Sequence, residues 1–150
     1  MNALRVRALG HVVLRVRELE ASLAFYRDLL GMTEVARYRG AMVFLTLGTG
    51  NHHDLALQQL GSSAPDADAG AVGLYHLAFK VGDSLDELRA WVAKLQAAGV
   101  TILGASDHRV SQSLYIVDPD GIEIELYVDA DPAVWRDNPA AVANILPLRL

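Results

Sequence analysis

The chain has 150 residues, of which 52% are hydrophobic, and its 13 Lys and Arg against 18 Asp and Glu give a net charge of −5. This composition predicts a compact globule with its own core, and it disfavours nucleic-acid binding because no basic stripe could displace counterions from phosphates. The chain has no cysteine, which excludes disulfides, thiolate catalysis and cysteine-ligated metal sites.

The first half of the chain predicts a strand, a helix and three further strands. Alternating apolar residues indicate a strand over 9–16, and apolar residues that recur near a 3.6-residue period indicate a helix over 18–30. Gly31 follows this helix, at a position that favours a left-handed residue. The three strand-like runs cover 33–38, 41–47 and 53–60.

A segment rich in Gly, Pro and small polar residues, 61–73, predicts a linker, and the second half then repeats the pattern of the first. We expect a strand over 74–81 and a helix over 84–98, with Ser84 as its N-cap. Three strands complete the second half, over 100–105, 112–117 and 122–128. The last segment, 129–150, contains three prolines and predicts an irregular tail anchored by Trp135.

The two halves are repeats of one βαβββ module. The stretch Gly10–Met32 aligns with Tyr75–Val100, so that His11 corresponds to His76. We therefore predict a single α+β domain, with modules at 9–60 and 74–128. Two small sheets must pair to bury their faces, and such pairing leaves a cup between them in which a ligand could bind.

Three polar residues are expected on the faces opposite the core. Side chains alternate between the two faces of a strand, so each polar residue lies on the face opposite its apolar neighbours. For His11 these neighbours are Val12, Leu14 and Val16. For His76 they are Tyr75, Leu77, Phe79 and Val81, and for Glu125 they are Ile124 and Leu126. A single His or Glu on a strand is more often solvated. The equivalent repeat positions of the two His favour a metal site instead, since two imidazoles and a carboxylate form the ligand set of non-haem Fe(II). Glu123 shares the face of Glu125 and is either solvated or a partner of a ligand.

The sequence resembles the vicinal oxygen chelate superfamily, and more narrowly its type I extradiol, catechol-cleaving dioxygenases, from Leu9 to about Tyr127. The text "FYRDLLGM" (Phe25–Met32) is typical of the superfamily at large. The run "SDHRVSQSLYIVDPDGIEIE" follows the extradiol signature, and Ser106 at its first position is the only departure.

The resemblance implies a metal site of His11, His76 and Glu125 that holds Fe(II), although Mn(II) accepts the same ligand set. Whether His11 joins the other two ligands within one chain or across a dimer stays open. The implied cofactor and ligands predict an oxidoreductase of aromatic compound catabolism.

The resemblance also implies three catalytic residues. His108 matches a residue that hydrogen-bonds the substrate and its oxygenated intermediate, and Tyr115 matches one that contacts a catechol hydroxyl. His53 matches an acid–base His and is preferred to His52 because Asp54 must follow it directly. An alternative is that His52 and His53 are merely solvated.

These assignments imply a Fe(II)-dependent extradiol dioxygenase that acts on an aromatic diol and O₂. We expect it to be cytoplasmic and without membrane partners, because no apolar run reaches the roughly 18–20 residues of a membrane span and no signal peptide is evident. We also expect a homodimer. One alternative is a glyoxalase-like, epimerase-like or thiol-transferase-like enzyme with a redox-inert metal, for which Gln58 could be a fourth ligand. The other is a metal-free drug-binding protein of the bleomycin-resistance type.

Overall fold

The computed structural model describes residues 4–68 and 70–150 and contains two compact units, Met1–Asp66 and Ala67–Leu150. The boundary between the units lies within the predicted linker 61–73. No helix among the described residues is both long and apolar enough to cross a membrane.

The first unit contains a four-stranded sheet in the order β1-β4-β3-β2. Strands β1 and β4 pair in parallel, and β3 is antiparallel to both of its neighbours. All four predicted strands are confirmed, with small shifts at their ends: β1 is Val12–Val16, β2 is Thr33–Tyr38, β3 is Met42–Thr46 and β4 is Leu55–Gln59.

The helix of the first unit changes its winding partway along. Helix α1 (Leu19–Leu23) continues into a π-helical turn, Ala24–Leu29, in which the Leu30 N–H donates to the Phe25 carbonyl at 2.9 Å. The wider turn places two consecutive aromatic residues, Phe25 and Tyr26, in buried positions. Gly31 has φ +87°, so the predicted left-handed helix end is confirmed.

The second unit contains a five-stranded sheet in the order β5-β8-β7-β6-β9, in which β5 is parallel to β8. A helix, α2 (Leu85–Ala97), packs on this sheet through Leu88 and Leu95, which are fully buried. The predicted strands are confirmed, and the bounds are His76–Gly82 for β5, Ile102–Asp107 for β6, Ser111–Val117 for β7 and Glu123–Asp129 for β8.

The start of α2 is a capping box. The Ser84 Oγ accepts from the Glu87 N–H at 3.3 Å, and the Glu87 carboxylate accepts from the Asp83 N–H at 2.8 Å and from the Ser84 hydroxyl at 2.9 Å. Ser84 is therefore the N-cap, as predicted. Gly99 has φ +71° after the helix end, which repeats the arrangement at Gly31.

Two expectations about the second unit are wrong. The tail is not irregular, because it forms α3 (Pro132–Trp135), a 3₁₀ turn (Pro139–Ala143) and β9 (Leu146–Pro147), which pairs with the end of β6. Two of its prolines begin these helical turns, and Pro147 lies in an edge strand, where a missing N–H is tolerated. Tyr75, expected on the core face, is 80% exposed because β5 begins one residue later.

Candidate active site

A tight turn between β7 and β8 places Tyr115 opposite Glu125. The Asp118 Oδ1 accepts from the N–H groups of Asp120 and Ile122 at 2.9 and 2.8 Å. Gly121, with φ +84°, adopts a left-handed conformation that a side chain would strain. The resulting register pairs Tyr115 directly with Glu125.

His76 and Glu125 lie side by side because β5 and β8 are neighbouring strands. The His76 Nε2 is 3.0 Å from the Glu125 Oε2. Glu125 is only 9% exposed, and the Ser113 hydroxyl donates to its other oxygen, Oε1, at 2.5 Å. The carboxylate is thus buried and oriented by β7, while one of its oxygens faces an imidazole nitrogen.

This pair fits a divalent cation. Two ligand atoms each about 2.1 Å from a metal ion, at a right angle, would be about 3 Å apart, which is the separation of the His76 and Glu125 atoms. An imidazole with a carboxylate is a donor set that suits Fe, Mn or Zn. On the other side of the ring, the His76 Nδ1 is buried and forms no hydrogen bond within the described part of the chain, although the Glu123 Oε1 lies 3.5 Å away.

A second pair, His108 and Tyr115, lies on the same sheet. The His108 Nδ1 is 3.0 Å from the carbonyl oxygen of Asn144, and since a carbonyl can only accept, Nδ1 carries a proton. In a neutral imidazole Nε2 is then unprotonated and accepts from the Tyr115 hydroxyl at 2.7 Å. Burial raises the pKa of Tyr115, and the charge of Glu125 adds to this, so the phenol stays protonated at neutral pH.

The Tyr115 ring also approaches the imidazole of His76, with their centroids 6.0 Å apart. The pair His108–Tyr115 is therefore next to the pair His76–Glu125. Four of the predicted site residues are brought together by the second unit alone.

Three His side chains cluster in the first unit. The ring of His53 lies 4.3 Å from that of His11 and 4.5 Å from that of His52, centroid to centroid, and Phe44 contacts it edge-on at 5.1 Å. Desolvation lowers the pKa of His53, and its imidazole neighbours lower it further, against an opposing effect of Asp54. The environment of His53 thus favours the neutral imidazole, which can accept a proton.

Asp54 fixes the loop that carries these residues. Its carboxylate accepts from the Leu47 N–H at 2.7 Å, the Thr46 and Thr49 hydroxyls at 3.0 and 2.7 Å, and the Asn51 amide at 2.9 Å. Burial raises the pKa of Asp54, but these hydrogen bonds outweigh it and hold the pKa well below its usual value. Asp54 therefore orders the loop through its backbone and neighbouring side chains.

The predicted metal ligands divide between the two units. His11 belongs to the first, and His76 and Glu125 belong to the second. Within either unit taken alone, the described residues bring no three His, Asp or Glu side chains together as a metal site. Gln58, the alternative fourth ligand, lies on β4 opposite Arg15. The three-residue ligand set stays a prediction.

Two contacts of the site were not anticipated from sequence. Ser113 lies two residues before Tyr115 on β7, so strand alternation alone could have indicated that it shares this face. The Asn144 carbonyl, which holds His108, is a backbone group 36 residues away and leaves no side-chain signal.

Comparisons with known proteins agree with this architecture. The family model of the Glyoxalase/Bleomycin resistance protein/Dioxygenase superfamily matches residues 8–126, and the chain belongs to this superfamily. A domain of the same description from Frankia sp. EAN1pec superposes with a TM-score of 0.70 at 27% identity, covering 84% of this chain and 100% of that one. The fold is thus the mixed α+β fold of vicinal oxygen chelate proteins.

Two of the curated relatives have different activities in their names. A Catechol-2,3-dioxygenase of Bacillus subtilis is 35% identical over 85% of this chain, and the chain spans 44% of the length of that protein. The Glutathione transferase FosA of Serratia marcescens is 31% identical over 91% of this chain and 93% of its own length. These matches establish the superfamily, but they do not establish which reaction this chain catalyses.

Proposed function

We propose that this protein is an extradiol dioxygenase that cleaves an aromatic diol. The observation that carries the proposal is the His108–Tyr115 hydrogen bond, at 2.7 Å, next to the His76–Glu125 pair. A diol that binds a metal through both oxygens must lose protons. His108 supplies a proton acceptor and Tyr115 a phenol, and both lie beside the candidate metal-binding pair.

The proposed metal is Fe(II), held by His11, His76 and Glu125, where it would bring the diol and O₂ together and supply the oxygen chemistry. In the overall reaction the ring carbon–carbon bond beside the diol breaks and both atoms of O₂ enter the product, so no other reductant is needed. Ser113 keeps the Glu125 carboxylate oriented throughout.

The proton transfers are assigned to the chain's own side chains. When the diol binds, the Tyr115 hydroxyl turns its single hydrogen from the His108 Nε2 to one diol oxygen, which frees the unprotonated Nε2 to accept the proton that this oxygen releases. His53, which its surroundings keep neutral, is proposed as the second acid–base group. We further propose a homodimer, which light scattering of the purified protein would measure.

The test is to load the protein anaerobically with Fe(II), add catechol and then admit O₂. We expect a yellow ring-opened product and O₂ uptake equal to the product formed. His108→Ala and Tyr115→Phe should lower kcat by roughly 10²- to 10⁴-fold, the usual contribution of acid–base groups, while iron content stays unchanged.

Two results would contradict this proposal. One is the absence of product from one-ring and two-ring diols although iron is bound. The other is loss of iron from the His108 and Tyr115 variants, which would mean that these residues hold the metal site rather than act on the substrate.

A thiol transferase is the second candidate, because the match to FosA covers nearly the whole of both chains. It predicts that the Mn(II)-loaded protein consumes fosfomycin together with glutathione, and that this activity is indifferent to Tyr115→Phe. A metal-free binding protein would instead neither retain Fe(II) nor change on Fe(II) addition.

A further inference from the structure

The imidazole of His108 is not oriented by the sheet. Strand β6 ends at Asp107 and β7 begins at Ser111, so His108 lies in the turn between them, where strand alternation does not fix a side chain. The His108 N–H donates to the Ser111 carbonyl at 2.9 Å. The Arg109 N–H donates to the Asp107 Oδ1 at 2.7 Å. These two bonds hold the backbone of the turn, so other contacts must orient the imidazole.

Two contacts orient the ring, and together they decide which of its nitrogens carries the proton. The His108 Nε2 accepts from the Tyr115 hydroxyl at 2.7 Å, and the His108 Nδ1 donates to the Asn144 carbonyl at 3.0 Å. Without the Asn144 carbonyl, the proton of a neutral imidazole could be on either nitrogen. An imidazole with its proton on Nε2 cannot accept a proton there from a bound diol. The Asn144 carbonyl thus determines whether His108 faces the candidate site as an acceptor.

The C-terminal tail fixes the position of this carbonyl. The 3₁₀ turn Pro139–Ala143 ends at Asn144, whose backbone is extended. The Asn144 Nδ2 donates to the Ala141 carbonyl at 2.7 Å, and the Asn144 N–H donates to the same oxygen at 3.2 Å. Ala141 is buried, with 8% of its surface exposed. The side chain of Asn144 therefore closes the turn onto a buried residue and sets where its own carbonyl lies.

Strand β9 holds the tail on the other side of Asn144. It begins two residues later, at Leu146, which pairs with Asp107 at the end of β6. Asp107 directly precedes His108, so backbone pairing anchors the tail next to the imidazole. The residues that match the superfamily model, 8–126, end before this segment. The carbonyl that orients His108 therefore comes from outside the matched domain.

We propose that Asn144 is a positioning residue of the candidate active site. Its side chain closes the tail turn, its carbonyl then accepts from the His108 Nδ1, and the His108 Nε2 stays unprotonated and able to accept a proton from the diol. The inference rests on the proposed ring-cleaving function only in this last step, because the tautomer of His108 does not depend on the reaction. The tail thus acts on the reaction through His108 and not through the metal site.

Nitrogen NMR of the metal-free, ¹⁵N-labelled protein tests the tautomer directly. The chain has five His, and the His108 signals are those missing from His108→Gln. In alkaline solution, where neutral imidazoles predominate, the parent should show a protonated Nδ1 and an unprotonated Nε2 at His108. Asn144→Ala should move the two nitrogen shifts toward each other, because the two tautomers then exchange. Unchanged shifts in Asn144→Ala, or a protonated Nε2 in the parent, would overturn the inference.

Two further variants separate this role from a loss of folding. Asn144→Ser keeps a donor that can reach the Ala141 carbonyl three residues back, and it should restore the parent tautomer. Asn138→Ala is the matched control on the same tail, because Asn138 is exposed and its side chain makes no capping hydrogen bond. It should leave the His108 shifts unchanged. Failure of Asn144→Ser to restore the tautomer, or equal changes in Asn138→Ala, would contradict a specific role of Asn144.

Kinetics test the last step. In the Fe(II)-loaded protein Asn144→Ala should lower kcat for catechol about five- to tenfold, since only part of the molecules then has an unprotonated Nε2, while KM and iron content stay unchanged. In a His108→Ala background the same substitution should have no further effect, because its influence passes through His108. Equal effects in both backgrounds would show a general structural role of the tail and would overturn the inference.

The two proposals fail in distinguishable ways. Cleavage of catechol with the same His108 tautomer in the parent and in Asn144→Ala would remove Asn144 as a positioning residue and leave the dioxygenase. A tautomer that depends on Asn144, in an iron-loaded protein that cleaves no diol, would remove the dioxygenase and leave the tail as the support of His108.

Discussion

Replacing Asp54 with Asn should destabilise the first unit and displace its histidine cluster. The Asp54 carboxylate accepts four hydrogen bonds from the loop that leads to His52 and His53. An amide of the same shape keeps one oxygen acceptor, so the donors that face its nitrogen lose their partner.

The size of the effect follows from these bonds. Each contributes on the order of 1 kcal/mol net, and with half of them lost we expect the free energy of unfolding at pH 7 to fall by about 2 kcal/mol. For a chain of this length that corresponds to a decrease in Tm of about 4 to 8 °C. Urea unfolding followed by circular dichroism would measure it. Asp86→Asn is the matched control, because Asp86 forms a single exposed pair with Arg89 and should change stability little.

The pH dependence provides the sharper check. Folding lowers the pKa of Asp54 below 3.8, the value taken for the unfolded chain. The ionised carboxylate therefore contributes stability at pH values above 3.8. This contribution is lost as the pH falls from 3.8 through the lower pKa of the folded protein. The difference between Asp54→Asn and the parent should therefore be constant above about pH 5 and shrink in more acidic solution. Equal stability at pH 7, or a difference that persists unchanged in acid, would refute this reasoning.

Further predictions concern the second unit. Ser113→Ala should weaken metal binding roughly tenfold or more, because partners that orient a ligand typically contribute this much, and anaerobic metal titration would measure it; unchanged affinity would mean that the Glu125 carboxylate needs no partner. Glu123→Gln should weaken metal binding less than Glu123→Ala, since the Glu123 Oε1 lies 3.5 Å from the His76 Nδ1 and an amide oxygen can take the same position beside it. Identical affinity in both variants would make Glu123 a solvated residue. Ile116→Ala should lower the free energy of unfolding by roughly 2 to 5 kcal/mol because Ile116 is fully buried, and denaturant titration with little change would contradict the core assignment.

Local sequence patterns predicted most elements of the fold because their signals are short-range. The apolar alternation around Val43 and Leu45, and around Ile124 and Leu126, indicates strands with one buried face, and these four residues are indeed buried. The glycine after each long helix likewise predicts a helix end from one residue's conformational freedom.

Features set by tertiary contacts were not predictable in this way. The π-helical turn over Ala24–Leu29 depends on packing two adjacent aromatic side chains, and no local pattern distinguishes it from a regular helix. The pairing of β9 with β6 joins segments about 40 residues apart, and a proline in β9 argues locally against a strand.

The candidate site also combines features that local sequence patterns predict with features that distant contacts determine. Strand alternation predicted that His76 and Glu125 lie on the faces opposite the core, and the pairing of β5 with β8 brings their atoms to 3.0 Å. The tautomer of His108 could not be predicted, because a distant backbone carbonyl determines it. The roles of His11 and His53 in catalysis rest on the resemblance to extradiol enzymes, and they remain proposals.

The most direct test of the proposed function is isotope labelling of the product. The Fe(II)-loaded protein would be given catechol under ¹⁸O₂. The ring-opened product would be reduced at once with borohydride, which prevents the aldehyde oxygen from exchanging with water. The mass of the reduced product would then be measured. The proposal predicts that both labelled oxygen atoms are in a product opened beside the diol. A product without label, or an intact diol in the presence of bound iron, would contradict it.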